Sequence, residues 1–341
     1  MLEKEENALI GSHTSFGVGG RVAYLVRIKT EAAIPRAIAL AKQEGLPLYY
    51  LGQGSNTLFG DGLVAAVVLK IEISGFTVAS ETDVYADILI GAGENWDSVV
   101  KQAIDRGLSG IEAMSAIPGT SGATPFQNVG AYGQEIKDTL ISVRAYDTKT
   151  EAFVSLSNAE CKFGYRDSVF RSGEKNRYVI TSITLRLSKK PPCVPEYPGV
   201  QNYFAEKGIA VPTLHDIREA IIAIRSTKLP DPKRIRNAGS FFKNPIVSTM
   251  TVIALKQSYP DIVSHPTADG MMKLSAGWLI ERAGLKGCSF GTVGIYEKNA
   301  LVLINKGDAT FADVMAAKEY VIEKVKDSFG IELEPEPICI Q

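Results

Sequence analysis

The chain has 341 residues, of which 45% are hydrophobic and 22% are charged, a composition typical of a soluble globular protein with two or three domains. Its 37 basic and 38 acidic residues give a net charge of −1, so no overall charge favours nucleic acid or an anionic membrane. Four scattered cysteines without a Cys-x-x-Cys pair argue against structural zinc or disulfides and suit a reducing compartment. The charged start of the chain lacks the apolar run of a signal peptide, so we expect a cytoplasmic protein.

The first 70 residues predict a small unit of strands and one helix. Apolar runs predict strands over 22–26, 48–51 and 64–71. A helix is predicted over 31–44, because Ile34, Ala37, Ile38 and Ala41 recur on one helical face and Gly45 follows as a stop signal.

From about residue 71 to 190, β-branched and aromatic residues predict mainly strands. These are expected over 84–90, 140–146, 152–156 and 178–187. One helix is predicted over 96–106, with Asn95 as its N-cap and Gly107 at its end. The run Lys189-Lys190-Pro191-Pro192 predicts a boundary.

The remainder predicts mostly helices. Thr213 and Asp216 form a capping-box pattern before an amphipathic helix, and the proline-rich run 229–232 predicts a second break. Further helices are expected near 248–258, 275–283 and 310–329, with a strand over 300–304. Helices mixed with long strand-rich stretches predict an α+β fold.

Glycine is concentrated in three turns, over 52–56, 91–95 and 118–133. Turns that combine glycine with Ser, Thr and Asn present backbone N–H groups and hydroxyls to a pyrophosphate, although a single such turn is ordinary. Three of them favour a large phosphate-bearing cofactor. The sequence lacks Gly-x-Gly-x-x-Gly, since Trp96 stands where the third glycine belongs, and it lacks Gly-Lys-Ser/Thr, which disfavours a Rossmann site and an ordinary NTPase.

The segment 237–245 places Ser240 between Gly239 and two phenylalanines, Phe241 and Phe242. Aromatic side chains exclude water and so strengthen a proton transfer. None of the three histidines stands in a context that suggests a triad, so Ser240 is a poor nucleophile but can still donate a proton. The alternative is a tight turn packed against the core.

Charged residues recur in three other segments. Adjacent residues of a strand face opposite ways, so a strand through Arg166 and Asp167 would leave the guanidinium available to a substrate carboxylate. The basic run 225–236 suits a diphosphate, and Glu336 is held between two prolines. The alternatives are a surface ion pair for Arg166 and solvated charge runs for the others.

Together these segments resemble the UDP-N-acetylenolpyruvoylglucosamine reductase family, the FAD enzymes of bacterial cell-wall precursor synthesis. The resemblance runs from about Thr14 to Glu336 and rests on seven motifs in order: Gly52–Asn56, Gly91–Trp96, Ile117–Gly133, Gly164–Ser168, Thr227–Asp231, Asn237–Pro245 and Leu333–Glu336. It implies an FAD-binding fold of the vanillyl-alcohol-oxidase (PCMH) type, with non-covalent FAD and with NADPH as reductant. NADPH is expected to bind in the substrate pocket before the substrate does.

The resemblance also implies roles for individual residues. Ser240 is expected to protonate C2 of the enolpyruvyl group, while Arg166 and Glu336 flank its carboxylate. The expected FAD contacts are Gly52, Gly54, Ser55, Asn56, Pro118, Gly119, Ser121, Gly122, Asn128, Gly130, Tyr132 and Gly133. The expected substrate contacts are Tyr197, Arg225, Lys228, Asn244, Lys286 and Asn299, and no metal is expected. Two departures from the family pattern are Tyr296, where some members carry histidine, and the pair Gly122-Ala123.

The expected division of the chain has three parts. Residues 1–70 with 330–341 form a first FAD-binding subdomain, 71–228 a second, and 229–329 a substrate-binding domain. The PCMH-type region covers about 16–188 and a tyrosine loop lies near 195–200. A monomer is expected, with a UDP-sugar and NADPH as its partners.

Two alternatives remain open at this point. One is another PCMH-type flavin oxidoreductase acting on a sugar or alcohol. Such enzymes often attach FAD through a histidine or cysteine, and neither residue occurs between Gly52 and Gly133. The other is a non-catalytic UDP-sugar-binding protein, against which the presence of Arg166, Ser240 and Glu336 argues.

Overall fold

The computed structural model describes residues 2–267 and 269–341, and its chain divides into two compact units. Unit 1 consists of residues 1–8, 22–53 and 65–226; unit 2 consists of 9–21, 54–64 and 227–341. The predicted division into three parts, by contrast, stays a prediction.

Helices and strands are numbered in chain order. The strands are β1 (Glu3–Leu9), β2 (Arg21–Ile28), β3 (Leu48–Leu51), β4 (Thr57–Phe59), β5 (Leu63–Ile71), β6 (Phe76–Glu81), β7 (Tyr85–Gly91), β8 (Gly130–Ala131), β9 (Gln134–Glu135), β10 (Leu140–Asp147), β11 (Ala152–Ser157), β12 (Tyr178–Ser188), β13 (Ile246–Val247), β14 (Ser264–Pro266), β15 (Met272–Leu274), β16 (Ser289–Phe290), β17 (Val293–Ile295), β18 (Leu303–Asn305) and β19 (Ile338–Ile340). The α-helices are α1 (Ile34–Glu44), α2 (Trp96–Asp105), α3 (Pro198–Lys207), α4 (Leu214–Lys228), α5 (Thr249–Ser258), α6 (Ala276–Arg282) and α7 (Phe311–Phe329).

Unit 1 is built on two sheets and the helices that cover them. One sheet has the order β1-β2-β5-β3, in which β3 runs parallel to β5; the other has the order β11-β10-β12-β7-β6 and is antiparallel. Its core includes Trp96, Ile88, Val143 and Ile183, all fully buried. The apolar face of α2 contributes Trp96 to this core because its buried residues recur at helical spacing.

Unit 2 has its own hydrophobic core around α5, α6 and α7. Phe241, Phe242, Leu279 and Val321 are among its buried residues. Short sheets complete the unit, with the orders β13-β15-β14 and β16-β17-β18 and a parallel β19-β4 pair. The two cores contain different residues, so each unit has its own source of hydrophobic stabilisation.

Most elements predicted from local signals are confirmed. Gly45 ends α1 with φ 65°, and the Asn95 side chain accepts a hydrogen bond from the N–H of Ser98 at the start of α2. Thr213 and Asp216 form the predicted capping box, with Thr213 N–H to Asp216 Oδ2 at 2.8 Å and Asp216 N–H to Thr213 Oγ1 at 3.2 Å. The mixture of helices and strands confirms the α+β class.

Two local predictions are wrong. Arg166 does not lie on a strand: the N–H groups of Gly164 and Asp167 each bond the other's carbonyl, at 3.0 and 3.4 Å, and Arg166 has φ 52° in the resulting turn. The predicted strand 300–304 is displaced to Leu303–Asn305, because the N–H of Val302 bonds the carbonyl of Asn299 in a turn.

Candidate active site

Within unit 1, hydrogen bonds join Gln53 of the first glycine-rich turn and the second turn to the third turn. The N–H of Gly119 donates to Gln53 Oε1 at 3.2 Å, which joins the first turn to the third. The N–H of Ser121 donates to the Glu94 carbonyl at 2.9 Å, and its hydroxyl donates to the Gly91 carbonyl at 2.5 Å. The third turn is therefore hydrogen-bonded to both of the others.

Close packing explains why several of these positions are glycine. A Cβ at Gly52 would lie 2.4 Å from Thr120 Oγ1, and a Cβ at Gly122 would lie 2.5 Å from the Cβ of Ala92. Glycine at both positions therefore lets the turns approach each other. This explanation complements the predicted one, in which glycine lets the backbone approach a pyrophosphate.

The donors that these turns offer fit FAD. The turns carry neutral polar side chains, among them those of Gln53, Ser55 and Thr120, and they include no basic side chain. Neutral donors of this kind suit a pyrophosphate held by backbone dipoles. The turns could accordingly hold the cofactor without a covalent bond.

A β-hairpin at the end of the third turn contacts Arg166. The strands β8 and β9 pair through Gly130 and Glu135, and Arg166 Nη2 donates to the Gly130 carbonyl at 3.0 Å. The buried Asn128 donates through Nδ2 to the Gly164 carbonyl at 3.0 Å. These two bonds fix the turn that carries Arg166 against the predicted cofactor residues of the hairpin.

Tyr132, Tyr197 and Arg225 form a second cluster within unit 1. The rings of Tyr132 and Tyr197 meet edge to face, with centroids 5.1 Å apart and an interplanar angle of 89°. Burial lowers the pKa of Arg225, and the neighbouring Tyr132 hydroxyl and Asp97 oppose that shift. Arginine keeps its charge at neutral pH, so the cluster presents a cation with two aromatic rings.

The helix that carries Arg225 is fixed by an ion pair that the sequence did not reveal. Arg218 donates to both carboxylate oxygens of Asp97, at 2.6 and 2.8 Å, and the N–H of Ala116 donates to Asp97 Oδ1 at 2.6 Å. Burial raises the pKa of Asp97, but these donors outweigh it and hold the pKa below its usual range. From the sequence alone, Asp97 is recognisable only as an acidic residue in the first turn of α2.

In unit 2, Ser240 and Glu336 lie on segments that pair with each other. The N–H of Glu336 donates to the Phe241 carbonyl at 2.8 Å, and the N–H of Lys243 donates to the Glu334 carbonyl at 2.9 Å. Ser240 directly precedes Phe241 and is half-buried. The backbone thus brings the predicted proton donor and one predicted carboxylate contact to the same place.

Ser240 lies between a hydrogen-bonded glycine turn and two buried phenylalanines. Phe241 and Phe242 are buried, with Phe241 N–H bonded to the Leu301 carbonyl at 2.7 Å. The Asn237 side chain accepts from the N–H of Gly239 at 2.9 Å, and Gly239 has φ 71°. Among the described residues, none forms a hydrogen bond with the Ser240 hydroxyl.

Several other predicted residues of unit 2 have defined contacts. Asn56 Nδ2 donates to the Glu336 carbonyl at 3.3 Å, which brings a predicted cofactor residue to a predicted catalytic one. Asn244 Oδ1 accepts from the N–H of Ala276 at the start of α6, and Asn299 Oδ1 accepts from the N–H of Leu301, both at 3.0 Å.

The two units hold different parts of the predicted site. Unit 1 contains Arg166, Tyr197 and Arg225, with the cofactor residues Gly52, Pro118, Gly119, Ser121, Gly122, Asn128, Gly130, Tyr132 and Gly133. Unit 2 contains Ser240 and Glu336, with the cofactor residues Gly54, Ser55 and Asn56 and the substrate residues Lys228, Asn244, Lys286 and Asn299. Of these, Lys286 forms an ion pair with Glu281 at 2.8 Å. The roles of these residues stay predictions.

Two family models match the chain. A family model described as "FAD binding domain" matches residues 22–155, so this part of the chain is an FAD-binding domain. A second model, described as "UDP-N-acetylenolpyruvoylglucosamine reductase, C-terminal domain", matches residues 231–340.

Full-length relatives agree with both models. Proteins named UDP-N-acetylenolpyruvoylglucosamine reductase are 43% identical in Pseudomonas aeruginosa, covering 98% of each chain, and 45% identical in Cupriavidus pinatubonensis, covering 96% of each. The crystal structure of the reductase of that name from Thermus caldophilus matches with a TM-score of 0.70 and 24% identity, over 100% of this chain and 99% of that one, which confirms the fold. The chain belongs to the UDP-N-acetylenolpyruvoylglucosamine reductase family.

Within the described residues, no helix is both long enough and apolar enough to cross a membrane.

Proposed function

We propose that the chain reduces the enolpyruvyl group of UDP-N-acetylglucosamine enolpyruvate to give UDP-N-acetylmuramate, a peptidoglycan precursor. The observation that carries the proposal is the pairing of the Ser240 and Glu336 segments in unit 2, in a chain that belongs to this family throughout its length. The glycine-rich turns would hold FAD, which would supply hydride-transfer chemistry between NADPH and C3 of the enolpyruvyl group.

Side chains of the protein are assigned to stabilise the charge that develops in this reaction and to supply its proton. Hydride addition at C3 pushes electrons towards the substrate carboxylate, so Arg166 and Glu336 are assigned to stabilise that charge. Ser240 then donates its hydroxyl proton to C2 and regains a proton from solvent. Buried Phe241 and Phe242 limit water around the donor, which strengthens the transfer.

The remaining assignments follow the same logic. The residues assigned to the UDP-sugar are Tyr197, Arg225, Lys228, Asn244, Lys286 and Asn299. The cations among them suit its diphosphate. The glycine-rich turns are assigned to FAD because their neutral donors suit its pyrophosphate.

Replacing Ser240 with alanine tests the assignment of the proton donor. We expect Ser240→Ala to bind FAD and to be bleached by NADPH at the wild-type rate, since neither process uses the hydroxyl. Reoxidation by the enolpyruvyl UDP-sugar should slow by about 10²–10⁴-fold, the usual effect of removing a general acid. Stopped-flow absorbance in the flavin bands measures both half-reactions separately.

The matched control is Ser258→Ala, an exposed serine at the end of α5, which should leave both half-reactions unchanged. If Ser240→Ala reoxidised at the wild-type rate, another group would be the proton donor. If the wild-type protein stayed colourless with added FAD, the enzyme assignment itself would be wrong. NADPH oxidation that proceeded equally well without the UDP-sugar would instead favour a different flavin oxidoreductase.

The proposal includes a cytoplasmic monomer that needs neither nucleic acid nor a membrane. The net charge of −1 and the scattered cysteines support this setting. Sedimentation of the purified holoenzyme at twice the chain mass of 36.8 kDa would contradict the monomer.

A further inference from the structure

Tyr132 lies at a backbone position that disfavours its side chain. Tyr132 and Gly133 form the two-residue turn between β8 and β9, with φ values of 51° and 89°. Turns with two positive φ values favour glycine, asparagine or aspartate, and a bulky residue there is strained. Such strain persists where the side chain serves a purpose, so its contacts indicate what that purpose is.

Tyr132 contacts two predicted substrate residues. Its ring packs edge to face on Tyr197, and its hydroxyl faces the guanidinium of Arg225. The ring also packs against the small hydrophobic cluster between α3 and α4, which includes the buried Val200 and Ile221. The turn thus contacts the helix pair that begins at Tyr197 and carries Arg225.

The contact with Tyr132 supports an exposed residue. Tyr197 is the N-cap residue of α3 and is 45% exposed. An exposed aromatic ring samples several rotamers unless a neighbour restrains it. The edge-to-face contact with Tyr132 favours one of them before substrate arrives, which reduces the entropy lost on binding.

We propose that Tyr132 is a positioning residue that holds Tyr197 and Arg225 in their substrate-binding arrangement. This role rests on the proposed function, and it goes beyond the FAD contact that the sequence predicts for Tyr132. The β8–β9 hairpin also accepts the hydrogen bond from Arg166 through Gly130, so one hairpin supports both the carboxylate-binding and the diphosphate-binding residues.

A double-mutant cycle on the FAD-loaded enzyme tests the proposal. Tyr132→Gly removes the side chain and relieves the backbone strain, so it is expected to fold. It should raise KM for the enolpyruvyl UDP-sugar by about tenfold, the upper range for one aromatic pair, when rates are measured per bound flavin so that any loss of FAD is counted separately. In a Tyr197→Ala background the same change should raise KM by less than about threefold, because the ring contact between Tyr132 and Tyr197 is already absent.

Two further variants complete the experiment. Tyr132→Phe keeps the ring contact and removes the hydroxyl that faces Arg225, so we expect a rise in KM of about threefold. Tyr203→Phe alters another tyrosine of the same helix pair, whose ring contacts Phe204, and it should leave KM unchanged. Equal effects of Tyr132→Gly with and without Tyr197 would overturn the proposal, as would loss of flavin with an unchanged KM. Failure of the wild-type enzyme to turn over would instead overturn the proposed function.

Discussion

The buried carboxylate of Asp147 shows how a single residue links pH to stability. Asp147 is 2% exposed and accepts two hydrogen bonds from Arg177, at 2.9 and 2.7 Å, and one from the N–H of Lys149 at 2.9 Å. The bonds from Arg177 hold the pKa of Asp147 far below its ordinary value. A lowered pKa in the folded state means that the stabilisation is complete above the unfolded pKa of about 3.9 and is lost as pH falls below it.

We therefore expect Asp147→Asn to lower the free energy of unfolding by about 1–3 kcal/mol at pH 7, the usual value of hydrogen bonds to a charged group. The difference from wild type should shrink as the pH falls below about 4. Urea unfolding at pH 7 and pH 3 measures it. Glu81→Gln, which removes an exposed ion pair with Lys189, should change stability by less than about 0.5 kcal/mol at either pH. A difference for Asp147→Asn that did not change with pH would show that shape, not charge, is responsible.

At the scale of elements, the contact between glycine-rich turns is the feature most sensitive to a single methyl group. A Cβ at Gly122 would lie 2.5 Å from the Cβ of Ala92 and 3.0 Å from its carbonyl oxygen. Gly122→Ala should therefore push the second and third turns apart and reduce the flavin content of the purified protein at least threefold, with a loss of about 1–3 kcal/mol in stability. Flavin absorbance per protein and thermal unfolding measure the two effects.

A compensating change gives this prediction a control. Ala92→Gly removes the methyl group that Gly122→Ala would strike, so the double variant should recover part of the lost flavin. Gly62→Ala adds a methyl group where nothing lies within 4 Å, and it should have no effect. Undiminished flavin in Gly122→Ala would mean that the turns tolerate separation and that their contact does not shape the cofactor site.

Elements marked by caps and by clear periodicity are predictable from sequence, while others depend on partners far along the chain. The helices α1, α2 and α4 have local stop or start signals at Gly45, Asn95 and Thr213, and these predictions are confirmed. The strands β1 and β6 were missed because nearly all their residues are exposed, so no apolar alternation marks them. Their pairing with neighbouring strands decides their structure.

The predicted site divides in the same way. The three glycine-rich turns are visible as motifs in the sequence, while the hydrogen bonds among them are shown only by the structure. The turn at Arg166 was mistaken for a strand, because the mutual bonds of Gly164 and Asp167 have no sequence signature. The ion pair of Asp97 with Arg218 joins residues 121 positions apart, which come together only in the folded chain.

At the scale of the whole molecule, the two units have separate hydrophobic cores, and ligand binding should stabilise their segments unequally. Binding of FAD to the folded state adds about 2.7 kcal/mol at a concentration one hundred times its Kd. Amides of the assigned turns, over 91–95 and 118–133, should therefore exchange hydrogen more slowly with FAD present. Amides of α7 lie in the core of unit 2 and belong to no assigned cofactor residue, so their exchange by local opening should be unchanged.

Hydrogen exchange with mass spectrometry, on holoenzyme and on protein stripped of flavin, measures this difference. Re-addition of FAD serves as the control, since it should restore the slow exchange in both turns. Equal slowing across α7 and the turns would indicate one cooperative opening of the whole chain rather than local opening in each unit. Slowing confined to other segments would show that the cofactor binds elsewhere, because a bound ligand protects first the amides that it contacts or orders.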